Sequence, residues 1–145
     1  MNQELEILLI EDNPHDAELV IRALKKNHVV NHIVHLTDGV IALDFLFGRG
    51  KYEGRKTNIK PRLILLDLKM PKMNGLEVLQ AIKDNELTKQ IPVVVLTSSK
   101  ENPDIEQSYL LGANSFIVKP VDYDSFRQVI TDLGMYWLVV NHPPH

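Results

Sequence analysis

Residues 63–75 read LILLDLKMPKMNG. Four apolar residues run into a single carboxylate, Asp67, and a Met-Pro and an Asn-Gly follow at once. A short apolar run bounded by turn residues reads as a buried strand. The segment therefore places one acid at a strand tip with a turn directly behind it. A nucleophile, a metal ligand and a simple turn cap would each account for such an acid, and the rest of the chain has to separate them.

Three further runs are of the same kind: LEILLI (5–10), IPVVVLT (91–97) and SFIVK (115–119), with NHIVHL (31–36) a weaker fifth strand. They lack strict alternation, as strands of a parallel sheet covered on both faces do. Amphipathic segments lie between them. Residues 14–27 carry Ala17, Val20, Ile21 and Leu24, with Pro14 suited to a first helical turn. Residues 38–47 carry Val40, Ile41, Leu43 (or Asp44) and Phe47, and residues 75–84 carry Leu76, Leu79 and Ile82. Residues 103–111 carry Ile105, Tyr109 and Leu110 and stop at Gly112, a C-cap signal. Residues 122–137 carry Phe126, Val129, Ile130, Leu133 and Trp137 behind Asp122 as N-cap. Five strand–helix repeats predict an α/β domain: a doubly wound (βα)5 fold around a five-stranded parallel sheet with right-handed crossovers.

All strands of such a sheet end on one side, where ligands bind. Strand one ends in Glu11-Asp12, strand three in Asp67, strand four in Thr97-Ser98-Ser99 and strand five in Lys119-Pro120. If strands one and three are neighbours, three carboxylates share one rim with a hydroxyl and an ammonium. Crowded carboxylates repel unless a cation sits among them. A hard divalent ion with oxygen ligands, such as Mg²⁺, suits the set. Asp67 can then attack a phosphorus centre, with Lys119 offsetting charge and Thr97 donating a hydrogen bond. Each residue also has a plainer reading. Acids ahead of a helix favour its dipole, Asp67 would cap a turn, Thr97 is an ordinary strand residue, and most lysines are solvated. The coincidence of suitable groups at four strand tips favours the chemical reading.

Composition bounds the rest. With 145 residues, 44% apolar and 24% charged, the chain makes one domain with a real core. We set the domain at 1–141 and a tail at 142–145. A net charge of −3 argues against nucleic-acid binding. The absence of cysteine excludes disulfides and thiol chemistry. The N-terminus lacks the pattern of a signal peptide, and no apolar run reaches the roughly 18 residues of a membrane span. A cytoplasmic protein is expected. One loop, 47–61, is long, with three glycines and the basic residues Arg49, Lys51, Arg55, Lys56 and Lys60. It reads as a solvated insertion unless it serves a function.

The constellation resembles the receiver domain of two-component response regulators, from residue 5 to about 138. The motifs are Glu11-Asp12, DLKMPKMNG from Asp67, VVLTSS with Thr97, and FIVKP with Lys119-Pro120. The resemblance implies the flavodoxin-like sheet order 2-1-3-4-5. It implies that Asp67 accepts a phosphoryl group from a histidine kinase. Asp12 would bind Mg²⁺ directly, Glu11 through water and Lys69 by its backbone carbonyl. Thr97 and Lys119 would hold phosphoryl oxygens, and Phe116 would be the mobile aromatic that follows Thr97. The Lys119-Pro120 bond would be cis, and the face built by helix four, strand five and helix five would switch. The chain would be a single-domain regulator without a DNA-binding output, and not an enzyme beyond its own phosphorylation and dephosphorylation. The 47–61 insertion and the run MYWLVV (135–140) resemble the small regulators that partner phytochromes. A phytochrome-type kinase and a homodimer through the C-terminal end are then expected. Helix five needs few of those six apolar residues for its own sheet, so several should face outward; an extended tail folded over the sheet edge is the alternative.

Three other readings compete. A haloacid-dehalogenase-type phosphatase needs a second aspartate where Lys69 stands. A flavodoxin-like nucleotide binder needs a hydroxyl- and glycine-rich loop where EDNPHDAE stands. A degenerate receiver that only docks would lack one of the five chemical positions.

Overall fold

The computed structural model describes residues 5–26, 30, 32–98, 101–120 and 122–141. Five strands, β1 (Ile7–Ile10), β2 (Ile33–Leu36), β3 (Leu63–Leu66), β4 (Val93–Thr97) and β5 (Ser115–Val118), pair in parallel in the order β2-β1-β3-β4-β5. The expected order 2-1-3-4-5 is therefore the observed one. Every residue of β1, β3 and β4 is buried, which is why these runs are apolar without alternation.

The helices are α1 (Pro14–Lys25), α2 (Gly39–Phe47), α3 (Gly75–Asp84), α4 (Asn102–Leu110) and α5 (Tyr123–Met135). Two cores form, one on each face of the sheet. Leu8, Ile10, Ile64, Leu66, Val93 and Val95 pack on one face beneath α2 and α3. Ile7, Leu9, Leu63, Leu65, Val94 and Leu96 pack on the other beneath α1 and α5. Local signals start the helices as expected. Asn13 caps α1 with Pro14 at its first position. Asn74 and Glu77 form a reciprocal capping box on α3. Asp122 caps α5 through Ser125 N–H. Gly112 has φ +106° just beyond α4.

The structure corrects two helical faces. In α2, Val40 is exposed, while Ala42, Leu43, Phe45 and Leu46 are buried. An almost wholly apolar segment has no phase for periodicity to read. In α4 only Ser108 is buried; Tyr109 and Leu110 lie open. Beyond Met135 the chain continues as a π-helical turn, Tyr136–Val140, and not as an extended tail. There Leu138 is buried, while Tyr136, Val139 and Val140 face outward.

The 47–61 loop does not hang free. It holds a 3-10 turn, Gly50–Tyr52, whose Tyr52 ring meets Phe45 edge-on at 5.1 Å. Arg55 lies 4.0 Å from the centre of the Phe45 ring, and Ile59 packs on the core beneath α2. The serine at 99 and the 142–145 tail lie outside the described residues.

Candidate functional site

Register brings the acids together. Ile10 of β1 pairs with Leu66 of β3, so Glu11 and Asp67 emerge side by side at the rim. Carboxylate oxygens of Glu11, Asp12 and Asp67 lie within 4.8 Å of one another. Glu11 and Asp67 are buried, and Asp12 is half-buried. Among the described residues, this is the group of three or more acids, histidines or cysteines gathered closely enough for a metal ion. Its all-oxygen donor set fits a hard divalent cation.

The other strand tips complete the rim. Thr97 is fully buried at the end of β4, and its carbonyl accepts the Lys119 N–H at 2.8 Å. The Lys119 ammonium donates to Glu11 Oε1 at 2.7 Å and to Asp16 Oδ2 at 2.9 Å, and stands 4.0 Å from Asp67 Oδ2. The Lys119–Pro120 bond is trans, contrary to the cis bond expected; no described peptide bond is cis. Trans is the isomer an X–Pro bond prefers by about 0.5–1 kcal/mol when nothing opposes it.

Lys69 offers its backbone beside Asp67: its N–H approaches Asp67 Oδ1 at 3.4 Å. Its ammonium leans away to Asp104 of α4 at 3.8 Å. Phe116 is half-buried on the core beneath α2 and α3. It has no hydroxyl of its own, but its backbone N–H donates to the Tyr109 hydroxyl at 3.1 Å, which ties α4 to the sheet edge. Neither that tie nor the contact between Asp16 and Lys119 was legible in the sequence. Asp16 showed only as an acid in a first helical turn, a place where acids are common for the dipole alone. His35 also joins the rim, its Nε2 lying 2.8 Å from the Glu11 carbonyl oxygen.

Charge at the rim is strained without a cation. Burial raises the Glu11 carboxyl from 4.5 to about 7; the Lys119 hydrogen bond opposes this and the Asp67 charge adds to it. Burial alone would lower the Lys119 ammonium, but hydrogen bonds to Asp16 and Glu11 and the charge of Asp67 outweigh it, so the net direction is upward. The same pair thus favours charge on Lys119 while Glu11, 1% exposed, still resists it.

A folded-state value above the unfolded one means that stability from Glu11 is full below about 4.5 and is lost as pH rises through about 7. The metal-free protein should lose about 2–3 kcal/mol from this residue between roughly pH 5 and pH 8. Glu11→Gln should flatten that slope, and a divalent cation should restore stability chiefly at the alkaline end. Thermal melts in chelator check this; parallel pH profiles for the two proteins would contradict it.

A cavity of about 130 Å³ lies at the opposite end of the sheet, lined by Arg62, Leu87, Trp137 and Asn141 among others. It holds no carboxylate cluster, unlike the rim around Asp67.

Residues 7–131 match the response regulator receiver domain. The chain belongs to this family. It is 39% identical to the probable methanogenesis regulatory protein FilR2 of Methanothrix harundinacea, over 95% of this chain and 86% of that one. It is also 39% identical to the response regulator Rcp1 of Synechocystis, over 91% of this chain and 88% of that one. The Mn²⁺-bound crystal structure of Rcp1 superposes with a TM-score of 0.89, covering 97% and 99% of the two chains at 38% identity. The phosphorylated cyanobacterial phytochrome response regulator RcpA superposes with a TM-score of 0.90 at 37% identity, covering 98% and 99%. The flavodoxin-like receiver fold expected from the sequence is thus the one found. No helix among the described residues is long and apolar enough to cross a membrane.

Proposed function

We propose that Asp67 is the phosphoryl acceptor of a two-component relay. The observation that carries this reading is the buried Asp67 carboxylate, flanked by the Glu11 and Asp12 carboxylates and by the Lys119 ammonium at 4.0 Å. An Asp67 oxygen attacks the phosphorus of a phosphohistidine on the kinase. The new O–P bond forms as the P–N bond breaks, and the imidazole recovers a proton. Lys119 offsets charge on the phosphoryl oxygens, and Thr97 donates a hydrogen bond to one of them. Asp12 would hold Mg²⁺ directly, Glu11 through water, and Lys69 through its carbonyl. When bound, the ion neutralises the attacking and developing charge. The added charge of roughly −1.5 to −2 draws Thr97 inward, Phe116 follows, and the face of α4, β5 and α5 shifts its population. Residues 1–141 make up this domain, acting on other proteins and not on a turned-over substrate.

Incubation with Mg²⁺ and a small acyl phosphate, followed by intact mass, tests the reading. One added phosphoryl group is expected; repeated turnover of a phosphomonoester, or no addition, would reject it. The solved relative RcpA, a cyanobacterial phytochrome response regulator, supports a phytochrome-type histidine kinase as donor. Identity to FilR2 is as high as to Rcp1, so a phosphotransfer profile should include kinases of both contexts.

The signal would leave through surface contacts, and we propose a homodimer at the C-terminal end. Met135, Tyr136, Val139 and Val140 form an exposed apolar face, and Tyr109 and Leu110 lie open on α4. Sedimentation of the wild type should show a dimer. Tyr136→Glu with Val139→Glu should raise its dissociation constant at least tenfold, since two charges would be buried unpaired. A wild type that stays monomeric at high concentration, phosphorylated or not, would end this proposal.

A further inference from the structure

Asp16 sits at the third position of α1, three residues after the N-cap Asn13. An acidic side chain there commonly turns back to the N-cap N–H, as Glu77 does to Asn74 at the start of α3. In α1 that N–H is already taken: Asn13 N–H donates to Glu11 Oε2 at 3.2 Å. The Asp16 carboxylate instead accepts from Lys119, 103 residues away in sequence. Lys119 is thereby held by two carboxylates, Glu11 and Asp16, and remains short of hydrogen-bonding distance from Asp67. Both residues of this contact line an open groove of about 360 Å³ beside the rim, with His15, Ser98 and Tyr123. The lysine side chain is 11% exposed and the Asp16 side chain 29%. The pair is thus desolvated enough to matter and open enough to break.

We propose that Asp16 is a positioning residue that parks Lys119 off the acceptor. It sets how readily the ammonium moves onto a phosphoryl group at Asp67; this rests on Asp67 being the acceptor. Lys119 has three N–H donors. A group bound on Asp67 must recruit one of them, and the geometry makes Asp16 the partner Lys119 can release. Glu11 sits within the acid cluster with Asp12 and Asp67 and also accepts from the Asn13 N–H. Weakening the Asp16 pair removes a competing interaction from the resting state, and binding of a phosphoryl-like group should tighten.

The test uses the full chain with Mg²⁺ and beryllium trifluoride, a non-reacting tetrahedral stand-in for the phosphoryl group, with affinity read by titration. Asp16→Asn keeps the size and backbone of the first turn while removing the charge. It should tighten beryllium trifluoride binding about 3- to 10-fold, the range expected for a half-buried ion pair. Asp16→Glu should stay near the wild type. In a Lys119→Ala background, Asp16→Asn should have no effect on affinity. An equal gain in both backgrounds would mean that Asp16 acts by charge alone, and would overturn the proposal. So would unchanged affinity in the single variant while the wild type still binds the probe and is phosphorylated. A wild type that takes neither the probe nor a phosphoryl group would instead reject the acceptor reading itself. Thermal melts of each variant confirm that folded proteins are compared.

Discussion

Asp67→Asn is expected to abolish phosphoryl incorporation from either a kinase or a small phosphodonor, with the fold intact. The amide has nearly the size of the acid, but its nitrogen and neutral oxygen cannot form the acyl phosphate. The loss should be complete within detection, because Glu11 and Asp12 are held differently. Glu11 is committed to Lys119 and Asn13. Asp12 belongs to the same close acid cluster and is proposed to hold the metal. The variant should melt no lower than the wild type, since it removes one charge from a crowded, buried acid cluster. Peptide mapping of labelled wild type should place the group on Asp67. Label that persists in the variant at the wild-type rate would show that the acceptor lies elsewhere.

Gly75→Ala is expected to cause the largest loss of stability of any one-carbon change near the site. Gly75 opens α3, and its N–H donates to the Leu68 carbonyl at 2.9 Å. A Cβ built there runs into the Asp67 carbonyl oxygen and the Leu68 backbone. Those atoms belong to the turn that aims the acceptor, so no flexible side chain can move aside. Overpacking against backbone costs about 3 kcal/mol, or about 6–12 °C in melting temperature for a domain near this size. Because the colliding atoms carry Asp67 itself, phosphorylation should slow in whatever fraction remains folded. A variant with unchanged melting temperature and unchanged labelling rate would show that the turn can shift freely, contrary to this packing.

By itself the sequence determined the repeat of strand and helix, and with it the parallel sheet and the side on which Glu11, Asp12, Asp67, Thr97 and Lys119 meet. These features are local: apolar runs of strand length, helix starts marked by Pro14 in a first turn and Asp122 as N-cap, and polar residues placed just beyond strand ends. Chain adjacency is enough to read them. The resemblance to the receiver family supplied the order of the strands, which adjacency does not encode. Tertiary structure decided what depends on contacts between distant segments. The buried face of α2 is one case, because a segment apolar on all sides takes its orientation from the sheet it meets. The open surface of α4 is another, since its Tyr109 spends its hydroxyl on the β5 edge and leaves its ring half exposed. Asp16 is the sharpest case. Its spacing within α1 marks an ordinary first-turn acid. Only the packing of α1 beside the end of β5 brings it to Lys119, at a range where a charge-assisted hydrogen bond outweighs the weak pull of the helix dipole.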